Sequence, residues 1–249
     1  MGRLRSQASS ATATLMACRG YPTREDRVED MDWSTWLKAQ RRLAEAQEDT
    51  VYAPIYDETW GTIAPTHQRW FHRFLGLCPP QSLILDAACG TGKYWPMVLA
   101  SGRRVFGIDQ SRGMLARARA KFPHVPSEHV GLQELRCEEA FDGAVCMDAL
   151  EMVCPEDWPL VLRNLARALR PTGYGYFTVE IAAEEDLEHA FVEGRRLGWP
   201  VVFGEWAQEG FYHYYPTIEQ VKAWVRLARF RLIDAAAGDG YHHVLVQKP

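Results

Sequence analysis

Apolar and polar positions along this chain follow two periods, and the switches between them mark its elements. From Asp32, a good N-cap, Trp33, Trp36, Leu37, Leu43 and Ala44 recur on one helical face. After "YAPIYDETWG", Trp60, Ile63, Trp70, Phe71, Phe74 and Leu75 predict a second helix with a break near Pro65. Strands and helices then alternate. "SLILDAA", "RVFGID", "GAVCMDAL" and "GYGYFTVEI" are short apolar runs of the kind a strand buried on both faces requires, and "EHVGL" is expected as a short third strand. Between them lie a helix over "YWPMVLASG", a helix capped by Ser111 that carries Met114, Leu115, Ala118 and Phe122, and a strongly periodic helix with Trp158, Val161, Leu162, Leu165, Ala168 and Leu169. This alternation predicts parallel β-α-β units covered on both faces.

The last fifty residues depart from the pattern. Residues 199–216 are dense in aromatic rings without a clean period, and a helix with Ile218, Val221, Val225 and Ala228 follows. "FRLIDAAA", the turn "GDG" and "YHHVLVQK" then predict an antiparallel hairpin. The expected organisation is a leader over 1–30, a helical cap over 31–78, a ligand-binding α/β core over 79–180, a substrate lid insertion over 181–216, and a C-terminal helix and hairpin over 217–249 that complete the core. The leader is rich in Ser, Thr and Ala and ends in a charged run, so it is expected to be disordered, or translated from a start placed too early, with Met16 and Met31 as alternatives. Gly2 and Ser6 also match a short myristoylation pattern.

Composition narrows the function classes. The chain is 47% hydrophobic and 24% charged, as a globular protein should be, and its formal net charge of −4 gives no reason to expect a nucleic-acid partner. No apolar run approaches the roughly 20 residues a membrane-spanning helix needs, so no membrane is expected either. The six cysteines form no C-x-x-C pair and several sit in apolar runs, which suits reduced core thiols, no metal site and a cytoplasmic location. A second copy of the chain, as a homodimer, is the macromolecular partner left open.

The densest chemistry lies in "LILDAACGTGKY", residues 83–94. A strand running into Gly90-Thr-Gly92 and a helix exposes backbone N–H groups to a ligand, because glycine lacks the Cβ that would block the approach. Dinucleotide sites of this layout want a third glycine, where this chain has Trp95. Asp86 would repel a diphosphate but suits a ligand carrying an ammonium group.

"LDAACGTG" resembles motif I of the class I S-adenosylmethionine (SAM) dependent methyltransferases, and the resemblance extends over roughly residues 50–249. "VFGIDQSRGML" resembles the family's second motif, whose acid ends the second strand and accepts from the ribose diol; here that is Asp109, 17 residues past Gly92. The resemblance implies that Asp86, Ala88, Gly90 and Gly92 form the cofactor turn and that Gln110 and Met114 lie beside the adenine. It also puts Leu132 and Gln133 of "GLQEL" at the adenine amine and ring, and has Tyr56 close over the cofactor. The implied fold is α/β: a Rossmann-like seven-stranded, mostly parallel sheet with a C-terminal antiparallel hairpin, N-terminal helices and an aromatic lid insertion. Two departures bear on what carries over. Where many relatives carry a histidine after the fourth strand this chain has Met152, and Gly131–Leu132 replace an acid that some relatives use to hold the adenine amine.

The implied activity is transfer of a methyl group from SAM to an O or N atom of a small-molecule acceptor. Positioning and desolvation suffice for an already activated methyl, and can contribute on the order of 7–11 kcal/mol. Asp148, after the fourth strand, and His213, in the aromatic stretch, are the candidate catalytic residues: the first facing the sulfonium or substrate, the second as base or anchor. The alternatives are a non-catalytic partner subunit that keeps the SAM site, and a nicotinamide-dependent oxidoreductase, which Trp95 and Asp86 disfavour.

Overall fold

The computed structural model describes residues 32–208 and 211–249, so the expectations for the leader, including Gly2, Ser6 and Cys18, lie outside the described residues. The chain opens with α1 (Trp33–Gln47), which runs into a π-helical segment (Glu48–Tyr52). Asp32 caps α1 as expected, accepting from Thr35 N at 3.0 Å. The second expected helix is two: α2 (Tyr56–Trp60) and α3 (Pro65–Leu77). Pro65 starts α3 rather than breaking it, because in the first turn its missing N–H has no partner to lose.

The core follows as β1 (Leu83–Ala87), α4 (Trp95–Ala100), β2 (Arg104–Asp109), α5 (Arg112–Lys121), β3 (Ser127–His129), β4 (Phe141–Cys146), a 3₁₀ turn (Leu150–Met152), α6 (Trp158–Ala168) and β5 (Leu169–Glu180). The insertion holds α7 (Glu184–Arg196) and the strands β6 (Glu205–Gln208) and β7 (Phe211–Tyr214). The chain ends with α8 (Ile218–Leu227), β8 (Arg231–Gly238) and β9 (Tyr241–Gln247). The seven-stranded sheet has the order β3-β2-β1-β4-β5-β9-β8, parallel from β3 to β5 and antiparallel at β5-β9 and β9-β8. β6 and β7 form a separate antiparallel ribbon. The third strand is shorter than expected: after His129 the chain leaves the ladder, and Leu132–Glu134 form a turn closed by Glu134 N donating to Gly131 O at 3.1 Å.

The central strands bury both faces, which is why they are apolar at nearly every position. Leu85, Ala144, Cys146, Val244 and Val246 face one core with Leu162 of α6 and Val225 of α8. Ile84, Val145 and Leu245 face the other with Phe71 and Phe74 of α3, Trp95 of α4 and Leu115 of α5. Among the described residues no helix is long and apolar enough to cross a membrane.

Trp95 explains the missing third glycine. Its ring is fully buried against two glycines: an added Cβ would stand 2.8 Å from Trp95 Cε3 at Gly92 and 2.5 Å from Trp95 Cζ2 at Gly107. Helix and strand therefore pack through an indole laid on bare backbone instead of through a bare helix residue. Gly107→Ala should destabilise the fold by about 1–3 kcal/mol, the usual cost of overpacking a full core. It should appear as a lower denaturant midpoint with unchanged slope. An unchanged midpoint would mean that the ring can move aside.

Candidate active site

The strand order reverses beside β1, and the carboxyl ends of β1, β2 and β4 open there into a cavity of about 460 Å³. Ligands of open α/β sheets bind at such a crevice. Ten of the twelve residues expected at the site line it: Tyr56, Asp86, Ala88, Gly90, Asp109, Gln110, Met114, Leu132, Gln133 and Asp148.

The floor is the turn after β1. Ala88, Gly90 and Gly92 have φ of 63°, 52° and 78°, the left-handed region that an L-residue such as Ala88 enters only at a cost. A Cβ on Gly90 would meet nothing within 4 Å, so its backbone borders open space that a ligand can fill. Gly92 is not among the residues that line the cavity; its φ of 78° and the Trp95 ring against its bare Cα both call for glycine there.

Three carboxylates differ sharply in state. Asp86 is 2% exposed and accepts from Trp95 Nε1 at 2.9 Å. Burial pushes its carboxyl up to about 7, against the pull of the indole N–H. Asp109 accepts from Gly90 N at 2.7 Å and Ser111 N at 2.8 Å. Burial raises it too, and those two N–H groups oppose the rise. Each of its oxygens thus already holds a backbone N–H while keeping a second lone pair for a ligand.

Asp148 is the opposite case. It sits just past β4 at φ 52°, its own N–H bonded to Thr178 Oγ1 at 2.8 Å. Oδ1 lies 3.0 Å from His67 Nε2, and Oδ2 accepts from Tyr94 OH at 3.1 Å and Lys93 Nζ at 3.3 Å. Burial alone would raise it, but the His67 hydrogen bond and the Lys93 charge outweigh burial and hold it at about 2. Such a carboxylate stays ionised at any working pH. Its depressed value suits it to facing a cation rather than to taking up a proton.

His213 does not reach the cavity. On a strand, neighbouring side chains point to opposite faces, and it is Tyr212 that lines the wall. His213 Nδ1 instead lies 3.0 Å from Tyr215 OH and 3.2 Å from Glu180 Oε2, with the ring against Phe211. Tyr212 is held from behind: its OH donates to Glu205 Oε1 at 2.6 Å, and Glu205 is fully buried. Met152 lines the cavity as well, so a methionine stands where a histidine base would have to be.

The lining that the sequence pattern did not mark comes mainly from α1 and the π-helical segment, through Leu37, Gln40, Arg41, Ala44 and Glu48, and from Lys93 just after the turn. Asp49 anchors this wall by accepting from Ser111 Oγ at 2.6 Å and Gly113 N at 2.9 Å at the start of α5. Asp57 of α2 does the same at the turn, accepting from Thr91 Oγ1 at 2.6 Å and Lys121 Nζ at 2.7 Å.

The state of Asp86 sets a pH dependence of stability. Its native value near 7 lies above the ordinary 3.8, so between about pH 4 and pH 7 the folded chain keeps a proton that the unfolded chain releases. Stability therefore falls across that window and is flat above it, by an amount that can approach roughly 4 kcal/mol at 1.36 kcal/mol per unit. Asp86→Asn cannot ionise and keeps an acceptor for Trp95, so its stability relative to the parent should climb from pH 4 to pH 7. Parallel stability curves for the two proteins would show that Asp86 is not buried in its neutral form.

Residues 84–173 match the family model described as a methyltransferase domain. The chain is 27% identical over 180 residues to dTDP-4-amino-2,3,4,6-tetradeoxy-D-glucose N,N-dimethyltransferase of Saccharopolyspora spinosa, covering 60% of this chain and 72% of that protein. It is 32% identical over 127 residues to malonyl-[acyl-carrier protein] O-methyltransferase of Serratia marcescens, covering 49% of each. Its fold superposes on the crystal structure of Burkholderia thailandensis 1,6-didemethyltoxoflavin-N1-methyltransferase with a TM-score of 0.61 at 18% identity, covering 92% of both chains. Sheet order, glycine turn, the acids at the carboxyl ends of β1 and β2, and these similarities agree: residues 84–173 form a methyltransferase domain, and the chain is similar to the class I SAM-dependent methyltransferases.

Proposed function

We propose that this protein moves the methyl group of SAM to an O or N atom of a small molecule, and that it does so by alignment and exclusion of water. The observation that carries this reading is the single cavity shared by Asp86, Gly90, Asp109, Met114 and Leu132, with the ionised Asp148 at its β4 side. When bound, SAM supplies a methyl group on a positively charged sulfur. Asp86 would take the ammonium group, Lys93 the carboxylate, and Asp109 the ribose. Met114, Gln110, Leu132 and Gln133 would enclose the adenine, and Tyr56 would close over the ligand. Asp148, fixed by four side chains, would face the sulfonium as a charge that needs no reorganisation.

Neither Asp148, which is held ionised, nor Met152 offers a base at the β4 end, which suits an acceptor that loses its proton to solvent. The similar proteins named above include both N- and O-methyltransferases, so both atom types stay within the proposal. We further propose that residues 79–180 form the cofactor-binding unit with 31–78 as its cap, 181–216 as the lid and 217–249 completing the sheet. The cytoplasm is the proposed location, and a homodimer the assembly to look for.

Calorimetry should detect binding of SAM and S-adenosylhomocysteine and none of NADH. SAM affinity should rise with pH up to about 7 and level off above it, because a neutral Asp86 cannot pair with an ammonium group and the ligand must displace its proton. No heat with either adenosyl ligand at millimolar concentration would overturn the proposal. Binding without any pH dependence would remove Asp86 from the ammonium site alone.

A further inference from the structure

Two polar side chains on α1 and its π-helical extension face the cavity. Gln40 and Glu48 are eight residues apart with Ala44 between them, and all three line the same wall, as residues at this spacing on one helical face must. Gln40 Oε1 is buried without a partner. The Glu48 carboxyl, half-buried on the same wall, lies close enough to Asp109 for the two charges to interact. Buried polar groups almost always have partners, and the exceptions call for an explanation.

Their positions supply one. Arg41 of α1 reaches Glu134 at 2.9 Å, and its Nη2 would stand 3.2 Å from a Cβ on Gly131, so the helix lies directly over the Gly131–Leu132 wall. The next residue after Glu48, Asp49, is bonded to Ser111 and Gly113, two and four residues past Asp109. A Cβ on Gly113 would come within 2.8 Å of Asp49 O, so the two backbones are pressed together there. Gln40 is thus held toward the adenine side and Glu48 beside Asp109. The π-helical widening occurs at Glu48 itself, a backbone feature that is frequent at functional sites.

We propose that α1 forms half of the adenosine subsite: Glu48 shares the ribose hydroxyls with Asp109, and Gln40 accepts from the adenine amino group where Gly131–Leu132 offer no side-chain acceptor. This rests on the SAM reading above. Both oxygens of Asp109 are partly committed to Gly90 and Ser111, so a second carboxyl gives the diol a full set of partners. Burial, with the charges of Asp109 and Asp49, pushes Glu48 up to about 8. At neutral pH it is protonated, so it does not repel Asp109 and can both accept from and donate to a ribose oxygen.

Titration calorimetry on the full chain tests this with three ligands: S-adenosylhomocysteine, its 2′,3′-dideoxyribose analogue, and S-inosylhomocysteine, which lacks the amino group. Glu48→Ala should weaken S-adenosylhomocysteine about tenfold, the equivalent of one hydrogen bond, and leave the dideoxy analogue unchanged. Gln40→Ala should weaken S-adenosylhomocysteine and leave S-inosylhomocysteine unchanged. Glu48→Gln, which keeps an acceptor and a donor, should restore most of the loss. Equal losses for a ligand and its truncated analogue, or no loss at all, would overturn the proposal. If the parent protein binds none of the three, the SAM reading itself fails, and the result is read against that.

Discussion

The cofactor side of this fold depends on one carboxylate. Asp109 ends β2, and its two oxygens accept from Gly90 in the turn after β1 and from Ser111 at the cap of α5. Three chain segments that would otherwise meet as loose ends are thereby held in one frame. Ser111 in turn caps Met114 N and donates to Asp49, which carries the frame across to the N-terminal wall. Gly90 can then stand at φ 52° with its free side open, because its N–H has a buried partner and is not left to solvent. The acid that ends β2 is therefore a strut, whatever it also does for the proposed ligand. A substitution there would loosen the turn as well as remove the proposed ribose contact, and the two effects separate only if structure and binding are measured together.

The second constraint is Trp95. Dinucleotide-binding turns draw helix and strand together with a third glycine. Here the helix residue is large and the opposing positions, Gly92 and Gly107, are small. The exchange places an indole N–H within 2.9 Å of Asp86. The aspartate is thus buried with a donor that is neutral, which leaves its charge uncompensated until a cation arrives. A protonated Asp86, and an ionised one beside the ammonium group of the proposed ligand, would be two states of the same arrangement.

Much of this was legible in the chain, for physical reasons. Strands buried on both faces must be apolar at nearly every position, so β1, β2, β4 and β5 stood out. Asp32 and Ser111 cap helices because their side chains can satisfy free backbone N–H groups, and the structure has both bonds. The acids ending β1 and β2 line the cavity as their spacing implied. What escaped has equally physical causes. The cavity wall of α1 carries Gln40, Arg41 and Glu48, polar residues that a periodicity analysis assigns to solvent, because it cannot tell a water-filled cleft from the outside of the molecule. In "FYHYY" every residue is aromatic or a ring, so the period of two that selects Tyr212 over His213 leaves no trace in hydrophobicity. Glycine in such a turn serves close approach, a left-handed φ or room for packing, and at Gly92 only the structure reveals the Trp95 ring that adds the last of these.

Asp148 then decides what kind of catalysis the site can support. A carboxylate beside the reacting methyl could in principle remove a proton from the acceptor, but four side chains converge on this one, including Lys93 and His67. Every such contact favours the ionised form and lowers its appetite for a proton, so the geometry that fixes the group also makes it a poor base. It also sits at φ 52°, a conformation kept by its backbone bond to Thr178. Strain held in place by a dedicated bond suits a group used for its direction and charge, and under the proposed function its value would lie in not moving as the sulfonium charge disappears. The fold spends its polar contacts at this point on a fixed negative charge, and in the proposed reaction the proton of the acceptor would be left to the acceptor's own chemistry.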